Sequence, residues 1–329
     1  MSKAAELAAL IGSQSALSNR NLIINGEFQV WQRGTSSSSV GYNTADRWRL
    51  HLSGASATAS QGTFANGQTA VPGNPQFYMA LNVTTGNDNA GLQYRHEGTQ
   101  QLNGEVYTLS FWAKSATPAT MTVSSHSYDA SADVDDDNTV SPSTFTPTSS
   151  WQKFTFKITH SSMPNLGAYA NGDYTLMSIG QGSSTSTDAW KLDLALVQFE
   201  KGEQATPFEH RSFADELRRC RRYTQVFLGD QNYSQVGVTG IAYSTTNLDV
   251  PVPLIPAMRS VPAIGASGTV QASNAGSGYT LTGLSIITAQ SSTDVASLRG
   301  TTSGMTAATP HRMESGNNTT ARVTLDAEL

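Results

Sequence analysis

One cysteine, Cys220, stands among 329 residues, which excludes an intrachain disulfide framework and the paired-cysteine spacing of zinc and redox sites. Charge is scarce: 14% of the chain is Asp, Glu, Lys or Arg, against ~25% in ordinary domains. The net charge of −5 offers no basic footprint for a phosphate backbone, so nucleic acid is not an expected partner. Apolar residues make up 38%, below the usual ~45–50%, and no long hydrophobic run occurs. Between Met1 and Gly12 only Leu7, Leu10 and Ile11 are large and apolar, short of the ~18 needed to span a bilayer and without a signal-peptide core. The expectation is synthesis in the cytoplasm and no membrane insertion, so that any role outside requires release by lysis or delivery on a particle. The nucleophile elbow, the phosphate loop, His-Glu-x-x-His and the dinucleotide fingerprint are all missing, and six histidines are scattered without ligand spacing. Paired carboxylates such as Glu97 with Glu105 occur in any acidic chain, so no enzymatic activity is expected.

Ser, Thr, Gly, Asn and Ala fill the space, a mix that suits short strands and many turns. Strands are predicted at 21–33, 45–52, 76–84, 91–97, 105–114, 119–127, 151–159, 173–180 and 189–200. In the seventh, Trp151, Lys153, Thr155 and Lys157 alternate with Phe154, Phe156 and Ile158, one face toward a core and one toward water. In the last, Leu192, Leu194, Leu196 and Phe199 break strict alternation, which points to a bulge or to burial on both faces. Trp31, Trp48, Trp112, Trp151 and Trp190 lie within strand signals and are assigned to the core. Ser212-x-x-Asp215 has capping spacing and opens a bridging helix, with Phe213, Leu217 and Cys220 on one side and arginines toward its end. Four prolines between Pro251 and Pro262 fit edge strands and turns of a second β-rich region.

The fold class expected is therefore mainly β: a jelly-roll β-sandwich, a short N-terminal helix, a bridging helix and a second C-terminal β-sandwich. The boundaries are 1–19, an attachment or trimerisation helix; 20–211, the jelly roll; 212–227, the bridge; and 228–329, the C-terminal β domain. The segments Tyr107–Ser115, Trp151–Thr159 and Trp190–Gly202 together resemble the galactose-binding-like jelly roll of carbohydrate-binding modules. Asn21–Gly34, Ala45–Trp48, Gln198–Arg211 and Leu217–Tyr223 together resemble bacteriophage tail-fibre or virion-fibre proteins.

That resemblance implies a non-enzymatic virion protein. It would be a homotrimeric tail fibre or receptor-binding protein, attached to other virion proteins through its N-terminal segment and contacting host surface glycans. The alternative is a purely structural component, a head-decoration fibre or tail adaptor. The resemblance to carbohydrate-binding jelly rolls implies a structural calcium ion near Glu27 and Asp193, although Gln29 stands where a further acid often follows. The acidic run from Asp129 to Asp137 departs from an EF-hand, with Asn138 in place of the loop glycine, and reads as a solvated loop. Sugar binding needs ring-stacking aromatics beside polar groups. Tyr42, Tyr78, Tyr128, Tyr169 and Tyr233, with Phe77, are the candidates in loop-like surroundings.

Overall fold

The computed structural model describes residues 19–85, 89–117, 119–129, 134–160, 172–181, 189–229 and 231–329. The expected N-terminal helix and Tyr169 lie outside them. The chain divides into two compact units, one reaching Glu216 and including Leu329, the other Leu217–Glu328. Strands of the first unit are β1 (Ser36–Ser37), β2 (Trp48–Ser53), β3 (Ser56–Thr63), β4 (Phe77–Thr85), β5 (Asn89–Glu97) and β6 (Val106–Lys114). They continue with β7 (Met121–Asp129), β8 (Val134–Phe145), β9 (Gln152–Thr159), β10 (Tyr174–Gln181) and β11 (Trp190–Lys201).

Two antiparallel sheets face each other across a core that includes Phe28, Trp48, Tyr94, Phe111, Trp190 and Phe199. Among the described residues one sheet runs β1-β3-β4-β11-β6-β9 and the other β2-β5-β10-β7-β8, the layout of a jelly-roll sandwich. Period-two alternation builds each layer: Met79, Leu81 and Val83 of β4 point inward. In β11 the register slips between Ala195 and Gln198, and Leu196 adopts φ 49°, so the broken alternation of that strand is a bulge. The acidic run expected as a loop instead enters β8, which pairs with β7; Asp133 lies outside the described residues.

The stretch expected as an opening strand, 21–33, forms turns instead. Side chains replace the missing strand partner. Asn25 Nδ2 donates to the carbonyls of Val30 (2.9 Å) and Asp46 (3.0 Å), while Asn25 Oδ1 accepts from Val30 N at 3.0 Å. Asn21 Oδ1 accepts from Ile23 N and Phe199 N, each at 3.0 Å. A β-carbon on Gly26 would lie 2.2 Å from the Val197 carbonyl oxygen, so the turn needs glycine to lie against β11.

Helix α1 (Phe213–Arg221) begins where the sequence indicates, with Asp215 N donating to Ser212 Oγ at 3.2 Å. Its buried side differs from the expectation. Phe213 is 55% exposed, whereas Cys220 and Glu216 are buried, because Glu216 bonds Arg211 at 2.8 Å and the amide of Asn25.

Beyond α1, the second unit has β12 (Thr224–Phe227), β13 (Gly240–Ala242), β14 (Asn247–Pro253), β15 (Ala263–Ser267) and β16 (Gln271–Asn274). It ends with β17 (Ser277–Thr280), β18 (Gly283–Ile286), β19 (Val295–Thr301), β20 (Pro310–Glu314) and β21 (Arg322–Asp326). These form the sheets β12-β21-β15 and β17-β16-β20-β13-β14-β19-β18 around a core that includes Val250, Leu298, Met313 and Leu325. Pro251 and Pro253 lie in the half of β14 that pairs with β19 alone, because β13 reaches only Leu248 and Asp249, so they occupy a local edge with exposed side chains.

Candidate functional site

The outward face of the β2-β5-β10-β7-β8 sheet carries polar side chains in register. Arg49 pairs with Gln93, Gln93 with Ser178 and Ser178 with Ser124, one row across four strands. At ~4.8 Å per strand this row spans roughly 14 Å. The neighbouring row is His51, Gly91, Gly180 and Thr122, whose two glycines leave a low floor. A β-carbon on Gly180 would lie 2.4 Å from the Ala90 carbonyl oxygen, so the floor cannot be raised without moving strands. On the other side come Arg95, Leu176 and His126, then Glu97, Tyr174 and Tyr128.

Polar groups on this face are oriented by one another. Arg49 Nη1 donates to Gln93 Oε1 at 2.8 Å and lies 3.3 Å from His51 Nδ1. The Arg95 guanidinium stacks 4.3 Å from the centroid of Tyr174, which in turn stacks on Tyr128 at 5.1 Å. Arg95 Nη1 also donates to the Leu329 main-chain oxygen at 2.5 Å, and Tyr42 Oη to the same oxygen at 3.3 Å. Tyr42 follows Gly41, which bridges to Leu50, and so stands beside Arg49 at the β2 edge. Burial and then the charge of Arg95 lower the pKa of Arg49; burial, Arg49 and Arg95 lower that of His51, which keeps the imidazole neutral near pH 7. Chemically, the face offers planar hydrogen-bonding groups and tyrosines beside a flat floor. Such a surface can grip a polyhydroxylated chain.

The opposite sheet's outward face carries a different cluster. Phe64, Tyr78 and Trp151 lie within 5.0–5.4 Å of one another by ring centroids. They surround Val71, which plugs onto Ala195 and Leu196. The loop that brings Val71 there closes with Phe64 N donating to Gln76 O at 3.0 Å, and Gln68 clamps Val71 with bonds of 2.8 and 2.9 Å. Tyr78 lies across Gly62, where a β-carbon would meet its ring at 2.2 Å. Lys114 sits 5.1 Å from the Trp151 ring and 3.4 Å from Asp193. This cluster anchors a loop, and its rings spend much of their area on each other.

The candidate tyrosines are therefore spread over three places. Tyr42 and Tyr128 share the polar face, Tyr78 belongs to the loop anchor, and Tyr233 is 57% exposed in the second unit. Phe77 packs against the first core. Trp112 and Trp151, assigned to the core, are half-buried on the loop-anchor side, while Trp48 and Trp190 are buried as expected. Arg49, Gln93, Arg95 and Tyr174 were missed. The alternation of β2 and β5 carried that signal, since Arg49, His51, Gln93 and Arg95 share the outward parity.

Glu27 and Asp193 are each engaged by nitrogen donors. Glu27 Oε2 accepts from Gln29 Nε2 at 2.7 Å and lies 3.2 Å from His210 Nδ1, a bond that raises the pKa of His210. Asp193 pairs with Lys114, and burial pushes its carboxyl upward despite that lysine. Among the described residues no group of three His, Cys, Asp or Glu side chains gathers as a metal would need. Calcium takes 6–8 oxygens, from carboxylates, carbonyls and water.

No family model matches the chain, and no curated protein matches it. Solved structures with similar folds include the N-terminal cellulose-binding domain from Cellulomonas fimi β-1,4-glucanase C, at 17% identity over 53% of this chain and 98% of that one, TM-score 0.33. A second is the CBM22-1 xylan-binding domain from Paenibacillus barcinonensis Xyn10C, at 15% identity over 52% of this chain and 94% of that one, TM-score 0.33. A third is the enzymatically active domain of bacteriophage CBA120 tailspike protein 4, at 13% identity over 55% of this chain and 21% of that one, TM-score 0.34. Among the described residues no helix is long and apolar enough to cross a membrane.

Proposed function

We propose that the first unit binds surface glycans on the outward face of β2-β5-β10-β7-β8, without catalysing their cleavage. One observation carries this reading: the cross-strand row Arg49, Gln93, Ser178 and Ser124 beside the glycine floor and the tyrosines. Sugar hydroxyls need planar donors and acceptors, and the CH faces of the rings need aromatic surface. The chain's setting, in the same proposal, is a virion: a tail-fibre or receptor-binding protein, attached through its N-terminal segment and self-associating as a homotrimer. The resemblance of Asn21–Gly34 and Gln198–Arg211 to phage fibre proteins supports the setting. Exposed Val238, Ile241, Tyr243, Ile255 and Val295 of the second unit supply apolar surface for self-association.

The test titrates the labelled full chain on a panel of bacterial cells, in competition with particle adsorption. Saturable binding that blocks adsorption is expected. Ser178→Trp, which fills the row without touching the core, should abolish it, and Trp151→Ala should leave it intact. A folded chain that binds no cell, or binding untouched by Ser178→Trp, refutes the glycan face and favours a decoration or adaptor role. Light scattering should give about three times 35.0 kDa.

A further inference from the structure

We propose that the glycan received by this face is acidic, its carboxylate held by the guanidinium groups of Arg49 and Arg95. The inference rests on the glycan reading of the face and adds the class of sugar, a uronic acid or another carboxylate-bearing residue.

Three observations converge on it. Arg49 and Arg95 project from adjacent strands toward the same side, Arg95 being two positions along β5 from Gln93, the register partner of Arg49. The hydrogen-bond partners of Arg49 are both neutral, Gln93 and His51, so its charge meets no carboxylate. Arg95 stacks on the Tyr174 ring and donates through Nη1 to an oxygen of Leu329, while its Nε is buried with no partner. Burial is the first cause that lowers the pKa of Arg49 and of His51, and the charge of Arg95 acts in the same direction on both, as two guanidiniums on one face require.

Arg49 is thus a cation without an acid partner in a chain whose net charge is −5. Glu97, one outward position beyond Arg95, is the acid of β5, and its backbone register places it beside Tyr174 at the end of the face. A planar carboxylate matches the guanidinium fork with two parallel bonds, and desolvating it between two such groups strengthens both. Tyr42, beside Arg49, gives the ring of the same sugar an apolar surface. A neutral glycan would leave the Arg49 charge unanswered.

The experiment is calorimetric titration of the full chain with sodium polygalacturonate, the same polymer methyl-esterified, and dextran sulfate. Polygalacturonate should bind. Esterification, which keeps the rings and removes the charge, should weaken binding at least about ten-fold, and so should Arg49→Gln, at unchanged melting temperature. Arg49→Lys, which keeps the charge but not the fork, should fall between. Equal binding of both polygalacturonates, abolished by Ser178→Trp, would overturn the acidic preference and leave the glycan face standing. Dextran sulfate bound as tightly as polygalacturonate, or binding unaffected by Arg49→Gln, would also overturn it, because charge alone would then suffice. Failure to bind polygalacturonate overturns it outright, and the cell-binding test then decides the glycan reading separately.

Discussion

His160 should make the first unit sensitive to mild acid. It is 4% exposed, its ring 6.2 Å from Tyr107 and 6.4 Å from Phe199, with Ser125 Oγ at 3.5 Å as its polar neighbour. Burial among these groups penalises the imidazolium and lowers its pKa from 6.5 to about 4. Because the folded value lies below the unfolded one, the unfolded chain takes up the proton first. The stability linked to this group is therefore whole above about pH 6.5 and is lost as the pH falls toward 4. Complete titration costs about 3 kcal/mol, and lowering the pH from 7 to 5 costs about 2 kcal/mol. His96, also lowered to about 4, by burial and then by Arg47, acts in the same direction. All five tryptophans precede residue 217, so urea unfolding followed by tryptophan fluorescence reports on this unit alone. His160→Phe, whose neighbours are already aromatic, should lose about 2 kcal/mol less than the wild type between pH 7 and 5. Taking the difference between two pH values cancels any packing cost of the substitution. Identical pH dependence in the two proteins would refute the reasoning.

Gly62→Val should push the Tyr78 ring off β3 and loosen the 64–76 loop, raising its cleavage by a protease at limiting dose while leaving cell binding unchanged; lost binding would move the site to that face. Asn25→Ala removes three side-chain hydrogen bonds and places alanine at φ 60°, and should cost about 3 kcal/mol in the same urea assay. A loss below about 1 kcal/mol would show that water replaces those bonds. Since Glu27 and Asp193 are each held by nitrogen donors, EDTA should leave the melting temperature unchanged, and a drop that calcium restores would contradict that account.

What the sequence made legible is what period two encodes. Strands β4, β5, β6, β7, β9, β10 and β11 fall within a few residues of their expected spans, because apolar residues recur along each toward one core, with β11 departing from alternation at its bulge. Strand β3, Ser-Ala-Thr-Ala-Ser-Gln-Gly-Thr, went unseen because its inward residues, Ala57 and Ala59, are small enough to hide the alternation. Asn21–Gly34 misled in the opposite sense: its apolar residues are buried, but its asparagines satisfy the backbone that a strand would have paired.

Parity also bears on where the site lies. Just before β9, Trp151 has the parity of Lys153, Thr155 and Lys157, and in β6, Trp112 has that of Thr108, Ser110 and Lys114; assigning both rings to the core because they lie within strand signals overrode that alternation. The same rule applied to β2 and β5 places Arg49, His51, Gln93 and Arg95 together outside, although none of them is aromatic. A search led by loop tyrosines found the rim of that face at Tyr42 and Tyr128 and passed over its centre. What parity cannot supply is cross-strand register. Arg49 and Arg95 are 46 residues apart in sequence, and only the pairing of Arg49 with Gln93 makes them neighbours on one face.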